Sequence, residues 1–283
     1  MRKRDIFEIA VTLFSLPALR DWQVCAGNAL KIGRHDRKTS MTYFQPAFAL
    51  LFAFLMITTS PASTKPVPCP RIPEMDTSDW KAIRYAFRDA PALHFGQAWN
   101  EKRERGFRKG NVRIGWQGDR FLYFAELSDR DVTTQASKRN QHLWMLGDVL
   151  EIFTGVHGRP SYIEYHTAPN GQILQLLFPS AETLQNLGGL NGLKSVMVID
   201  DEATVRTRKT RTGWEVYGEV PAASVWARKP SKASLAGQVW DLHFGRYDYS
   251  SDKKDPILSS TAPLTVAAYH RRHEWQQIEF VER

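Results

Sequence analysis

The residues best suited to chemistry crowd into one stretch of the chain. Asp148 and Glu151 are carboxylates three positions apart within Trp144-Met145-Leu146-Gly147-Asp148-Val149-Leu150-Glu151-Ile152-Phe153. Glycoside hydrolysis needs two carboxyl groups about 5–10 Å apart, and three steps along an extended strand span roughly 10 Å. Side chains an odd number of positions apart, however, leave a strand on opposite faces. The pair is therefore expected to be split between two environments, and the chain to be non-catalytic. Asp148 reads instead as an acceptor for the N–H groups of a neighbouring loop. Among the histidines, His142, His157 and His166 are scattered, and His270 with His273 offers only a weak surface metal site. Asp129 and Asp131 are the only metal candidates singled out, and two loop carboxylates are too few to define a calcium site. No phosphate-cradling glycine loop and no nucleophile elbow occurs.

The elements that must position these groups read as strands. Val112, Ile114 and Trp116 alternate with Arg113 and Gly115, a period of two. The turn Gln117-Gly118-Asp119-Arg120 then leads into the apolar run Phe121–Leu127, which makes a hairpin. Further strands are expected at 148–153, 162–167, 172–178, 195–200, 203–209, 214–220, 238–246 and 277–281, with Pro169-Asn170-Gly171 as a strong turn. About nine or ten short strands, with turn signals every 8–12 residues, predict a single all-β domain built as an antiparallel two-sheet sandwich, immunoglobulin-like or jelly-roll-like. Trp80, Trp116, Trp214, Trp240 and Trp275 lie in or beside apolar runs and are expected in the core.

Composition agrees with one such core: 283 residues with 42% hydrophobic and 12% aromatic content. The formal charge of +8 is concentrated early, since 1–62 carries eight Lys/Arg against four Asp/Glu, leaving 30 against 26 downstream. Nucleic-acid binding usually calls for a clustered basic stripe. The runs 102–105 and 206–211 are short and interrupted, and read as solvated faces, so no nucleic-acid partner is expected. Cys25 and Cys69 are the two cysteines and are not expected in one mature chain, which leaves packing alone to hold the core. Tyr43–Ile57 is an apolar run preceded by Arg34, Arg37 and Lys38 and followed by Ser60-Pro61-Ala62-Ser63, the layout of a secretory signal peptide cleaved near Ala62 or Ser63. Met41 sits where such a peptide would start, so 1–40 reads as an upstream start or an extended n-region. Secretion, or residence in the periplasm or cell envelope, is the expectation, with membrane attachment only if the apolar segment is retained. Residues 63–75 hold four prolines and predict a stiff linker without ladder hydrogen bonds, placing the folded module at 76–283.

Several motifs, taken in order, resemble the family 9 carbohydrate-binding module and its DOMON-like relatives. They are Asp76 to Trp80, without the family's glycine; the hairpin from Val112 to Ala125; and Trp144 to Phe153, with its tryptophan before an Asp-x-x-Glu-hydrophobic-Phe strand. Tyr162–Tyr165, Pro169-Asn170-Gly171, Gly213–Pro221, Trp240–Tyr247 and Tyr269–Phe280 follow, so that the resemblance spans roughly 76–281. It implies a β-sandwich that stacks sugar on aromatic side chains and binds its hydroxyls at the ring edge. Trp144 then takes the first aromatic position, Tyr269 the second, and Glu151 a polar strand position. Glu164 and His166 stand where the family uses Arg and Asn. The implied partners are mono-, oligo- or polysaccharide and a secreted glycoside hydrolase, in the service of polysaccharide breakdown. No cofactor is required, although some members hold calcium. Two other readings follow from the same residues. A DOMON-like haem-binding electron-transfer domain would use Met145 and His166 as ligands, and a ligand-free structural sandwich would bury Trp144.

Overall fold

The structure is a computed structural model that describes residues 65–198, 203–225, 234–250 and 255–282. The signal-peptide reading, Met41 and Cys25 lie outside the described residues. Among the described residues twelve strands form two sheets, the all-β sandwich that the alternating pattern predicts, with three short strands, at Val67–Pro70, Ala92–His94 and Ile257–Ser260, beyond those expected. The smaller sheet runs β2 (Ala92–His94), β3 (Gly110–Gln117), β4 (Arg120–Ser128), β9 (Gly213–Pro221), β8 (Thr204–Thr210). The larger runs β1 (Val67–Pro70), β12 (Gln276–Val281), β10 (Val239–Asp248), β5 (Val149–Val156), β6 (Tyr162–Thr167), β7 (Ile173–Phe178), with β11 (Ile257–Ser260) also paired to β10. All pairings are antiparallel except β1 with β12.

Period-two alternation decides where each side chain goes. Leu150 and Ile152 of β5, Ile163 and Tyr165 of β6, and Trp240, Leu242 and Phe244 of β10 point between the sheets. There they meet Ile114, Phe121, Tyr123, Trp214 and Val216 in the main core. The opposite face of the large sheet is also buried. Val149 and Phe153, Tyr162, and Leu174, Leu176 and Phe178 form a second core with Leu143, Leu193, Leu264, Tyr269 and Trp275 from the covering loops. A sheet covered on both faces is the condition that shapes everything polar on it. The outer face of the small sheet is covered by α1 (Trp80–Ala86), whose Ile83, with Phe87 just beyond, packs on Leu122, Phe124 and Tyr217. The other helices, α2 (Ala181–Asn186) and α3 (Ala222–Val225), are a turn or so each.

Three expectations are corrected. Of the strand expected at 195–200, the described residues 195–198 do not form one: a 3-10 turn covers Leu190–Ser195, and Met197 makes only an isolated bridge to Leu176. Trp116, Trp214, Trp240 and Trp275 are buried as expected, but Trp80 opens α1 and is only partly buried, with the guanidinium groups of Arg208 and Arg206 over its ring at 4.8 and 5.7 Å. That contact places the basic run 206–211 on a solvated strand face.

The third correction concerns the proline-rich 63–75, which is not a detached linker. Val67–Pro70 adds to the edge of the large sheet, and Cys69, a free thiol, and Ile72 are buried. Successive N–H groups of a strand point to opposite sides, so Pro66, Pro68 and Pro70 all turn their missing donor to the open edge. Arg71, of the opposite parity, donates to Val281 O at 3.1 Å. Burying two side chains of this size contributes about 3 kcal/mol. A chain starting at Asp76 is thus expected to unfold about 3 kcal/mol more easily than one starting at Lys65, measured by urea denaturation. Equal midpoints would return 65–75 to the role of a tether.

Candidate functional site

The strand register assembles the site. Glu151 on β5 faces His166 on β6 directly across the ladder, and Glu164 lies two residues before His166, hence on the same face. The three side chains converge on the covered outer face of the large sheet, where each residue is 2–3% exposed. His166 Nδ1 lies 2.9 Å from Glu151 Oε1 as an ion pair, and its Nε2 lies 3.1 Å from Glu164 Oε2. Ionised carboxylates only accept hydrogen bonds, so an imidazole between two of them carries both protons. Burial alone would lower the His166 pKa. The Glu151 charge, with the contacts to both carboxylates, overrides it and raises the value from 6.5 to about 9. Burial likewise pushes Glu164 up, but the His270 and His166 contacts outweigh it and bring the carboxyl down to about 2. His270 Nδ1 stands 3.1 Å from Glu164 Oε1 and 3.1 Å from the Tyr162 hydroxyl.

Aromatic groups surround this polar row. Trp144, in a 3-10 turn at Leu143–Met145, is only partly buried and packs on His166 at 5.2 Å between ring centres. His142 stacks on the same indole at 5.2 Å and 23°. The Tyr249 hydroxyl donates to the Trp144 carbonyl at 2.6 Å and pins the turn. The ring of His243, next along β10, lies on Phe153 at 4.6 Å. Burial lowers its pKa to about 3, so it stays neutral.

Tyr269 does not become an open platform. It is 5% exposed, and its hydroxyl lies 2.9 Å from the carbonyls of Arg246 and Ser259 while accepting the Ser259 N–H at 3.1 Å. Its ring rests on β10 at Gly245, where an added Cβ would come within 2.6 Å of it. A tyrosine whose oxygen is so engaged anchors the loop that carries His270 and leaves no ring face for a ligand. The flanking His270-Arg271-Arg272-His273 is polar and basic, the composition of a solvated loop. The burial comes from contacts with a strand more than twenty positions away, which no local pattern reveals.

The suspected hydrolytic pair is divided as the parity argument requires. Asp148 sits at the start of β5 and accepts the N–H of Thr133 at 2.6 Å and of Tyr249 at 2.7 Å, the structural role expected of it. Burial, together with the charges of Asp129 and Asp248, raises its pKa to about 7 against two opposing backbone hydrogen bonds. The metal candidates also rearrange. Asp129 converges with Asp148 and Asp248, their oxygens within 4.8 Å of one another, and Asp131 is not part of the group. Arg246, fully buried, puts Nη2 3.3 Å from Asp129 and 3.2 Å from Asp248. The guanidinium balances part of the charge of the three carboxylates, and each Asp148 oxygen accepts one backbone N–H. The haem reading fails because both His166 nitrogens face carboxylates and leave no lone pair for iron. His270 and His273 diverge, the first toward Glu164 and the second toward Arg271 and Glu274.

No family model and no curated protein matches the sequence. Among solved structures, the chain is similar to a protein of Bacteroides uniformis ATCC 8492 provisionally described as carbohydrate-binding. The TM-score is 0.57 and the identity 13%, over 75% of this chain and 97% of that one. It is also similar to a family 9 carbohydrate-binding module from Caldicellulosiruptor kristjanssonii. With cellotriose bound, the TM-score is 0.48 and the identity 11%, over 76% of this chain and 93% of that one. With glucose the same score and identity hold over 76% and 95%. At these identities the likeness is one of fold: the two-sheet sandwich.

The network sets a pH dependence. His166 is raised, so the stability it brings is complete below pH 6.5 and lost as pH rises through about 9. Glu164 is lowered, so its contribution is complete above pH 4.5 and lost as pH falls through about 2. Replacing His166 by Ala leaves buried Glu151 without its partner and Glu164 with His270 alone, and is expected to cost about 3–5 kcal/mol. The difference in stability between the native chain and His166→Ala should be flat from pH 4.5 to 6.5 and shrink on either side. A pH-independent difference in urea melts would show that the ion pairs do not form.

Proposed function

We propose that this chain is an exported, non-catalytic carbohydrate-binding sandwich that works alongside enzymes of polysaccharide breakdown. One observation carries the reading: a partly exposed indole, Trp144, packed against His166, which two buried carboxylates hold fixed. A pyranose needs a flat apolar surface for its C–H face and rigid polar groups for its hydroxyls. Trp144 offers the first; Glu151 and Glu164, buried and held by His166, become the second once the loop residues that cover them move aside. The imidazole of His142 now lies on the indole as a sugar ring would, so binding displaces His142 and stacks the sugar in its place. The fold shared with the Bacteroides protein is compatible with this role. The apolar segment Tyr43–Ile57 supports export, and the expected enzyme partner is a secreted glycoside hydrolase.

Titrating the intrinsic tryptophan fluorescence of the protein with glucose and cellotriose tests the reading. A saturable change is expected, lost in Trp144→Ala and strengthened in His142→Ala, whose indole is uncovered. A flat response across millimolar sugar in both the native protein and His142→Ala, with the fold intact by circular dichroism, overturns it.

A further inference from the structure

His270 fills an enclosure that is suited to something other than imidazole. Its ring meets Phe153 at 5.3 Å and 86°, Phe178 at 5.9 Å and 73°, and Tyr162 at 6.2 Å and 66°. At the base of these three rings is Glu164, whose Oε1 is 3.1 Å from His270 Nδ1. The Glu164 side chain is 3% exposed and that of His270 is 23% exposed, so His270 stands between the carboxylate and solvent. Aromatic rings around a cation, closed by a buried carboxylate, are the groups that hold an organic ammonium. His166 cannot neutralise the whole floor, since one imidazolium faces two carboxylates. What the floor turns toward a ligand is carboxylate oxygen, which accepts hydrogen bonds and repels anions.

We propose that the enclosure held by His270 is a seat for a protonated amine, and that the sugars taken by the site are amino sugars of the glucosamine type. The inference rests on the carbohydrate-binding reading and adds the charge of the ligand to it. The ammonium replaces His270 at Glu164 Oε1, with Phe153, Phe178 and Tyr162 around it. The Glu164–His166 pair connects this seat to Trp144, which packs on His166. Uronic acids and sulfated sugars are excluded by the same carboxylates.

The test titrates the full chain by calorimetry with β-1,4-linked glucosamine trimer, its N-acetylated form and cellotriose, at a pH where the amine is protonated. The expected result is about tenfold tighter binding of the amine than of either uncharged trimer, weakening as salt is raised. His270→Ala, with its fold checked by circular dichroism, is expected to tighten the amine further and by more than it changes cellotriose. Glu164→Gln should erase the preference for the amine. Equal affinities for all three trimers overturn the charged seat while leaving carbohydrate binding intact, as does an amine affinity unchanged in His270→Ala. Failure of every trimer to bind, with no change in tryptophan fluorescence, overturns both the seat and the reading beneath it.

Discussion

The ion pairs of His166 with Glu151 and Glu164 are the constraint on which the covered sheet depends. Removing a carboxylate from water costs several kcal/mol unless a cation goes with it. The outer face of the large sheet buries two within one hairpin. His166 meets both because its nitrogens point in opposite directions across the ring, one to the opposite strand and one along its own, and His270 adds a second imidazole at Glu164. Leu174, Leu176 and Phe178 flank the row from β7, and Leu143 and Trp275 from the loops pack into the same apolar cluster. The same geometry removes His166 from any chemistry that needs a lone pair. The row acts as a rigid, charged floor under Trp144.

A second buried cation solves the same problem at the end of that sheet. Arg246 enters from β10 between Asp129 and Asp248, and donates to Ser128 O at 2.8 Å. Beside it, Asp148 keeps only backbone donors, which is why burial drives its pKa upward while Glu164, with charged partners, goes down. Among these three carboxylates the Arg246 guanidinium pairs with Asp129 and Asp248 and leaves Asp148 to its backbone donors. Both clusters follow one rule: in a sheet covered on two sides, each acidic group is matched from a neighbouring element or held by backbone N–H.

Covering and access compete at the candidate site. Tyr269 fastens its loop to β10 through a hydroxyl shared with Arg246 and Ser259, and Trp275 Nε1 donates to the Tyr269 carbonyl at 2.8 Å. Those anchors lie on either side of His270, the member of the network with the most contact with solvent. On the other side of the row, His142 and Trp144 sit on a 3-10 turn held mainly by Tyr249. The two histidines that cover the polar row are thus carried by short irregular segments, while the row itself is on strands. Rigid floor and loop-borne cover is the arrangement a binding surface needs.

Much of this was legible in the chain. Alternation of apolar and polar residues specified most of the strands, and the Pro169-Asn170-Gly171 turn set the hairpin of β6 with β7, while the β5–β6 pairing puts His166 opposite Glu151. The odd spacing of Asp148 and Glu151 was enough to separate them, because strand periodicity is a local property of the backbone. Local pattern misled where a remote contact decided the outcome. Pro68 and Pro70 read as tether until β12 offered an edge on which missing N–H groups cost nothing. Tyr269 read as an exposed ring among basic residues until Gly245 left room for it against β10. His270 gave no local sign of its place beside Glu164, more than a hundred positions earlier. The sequence by itself determined the long strands and which faces their residues share, because those depend on neighbours two or three positions away, whereas short edge strands such as Val67–Pro70 depend on the partner they join. Only the tertiary structure decided which charges meet and which rings are covered, because burial and Coulomb energy depend on distance in space, and the chain sets that only after it has folded.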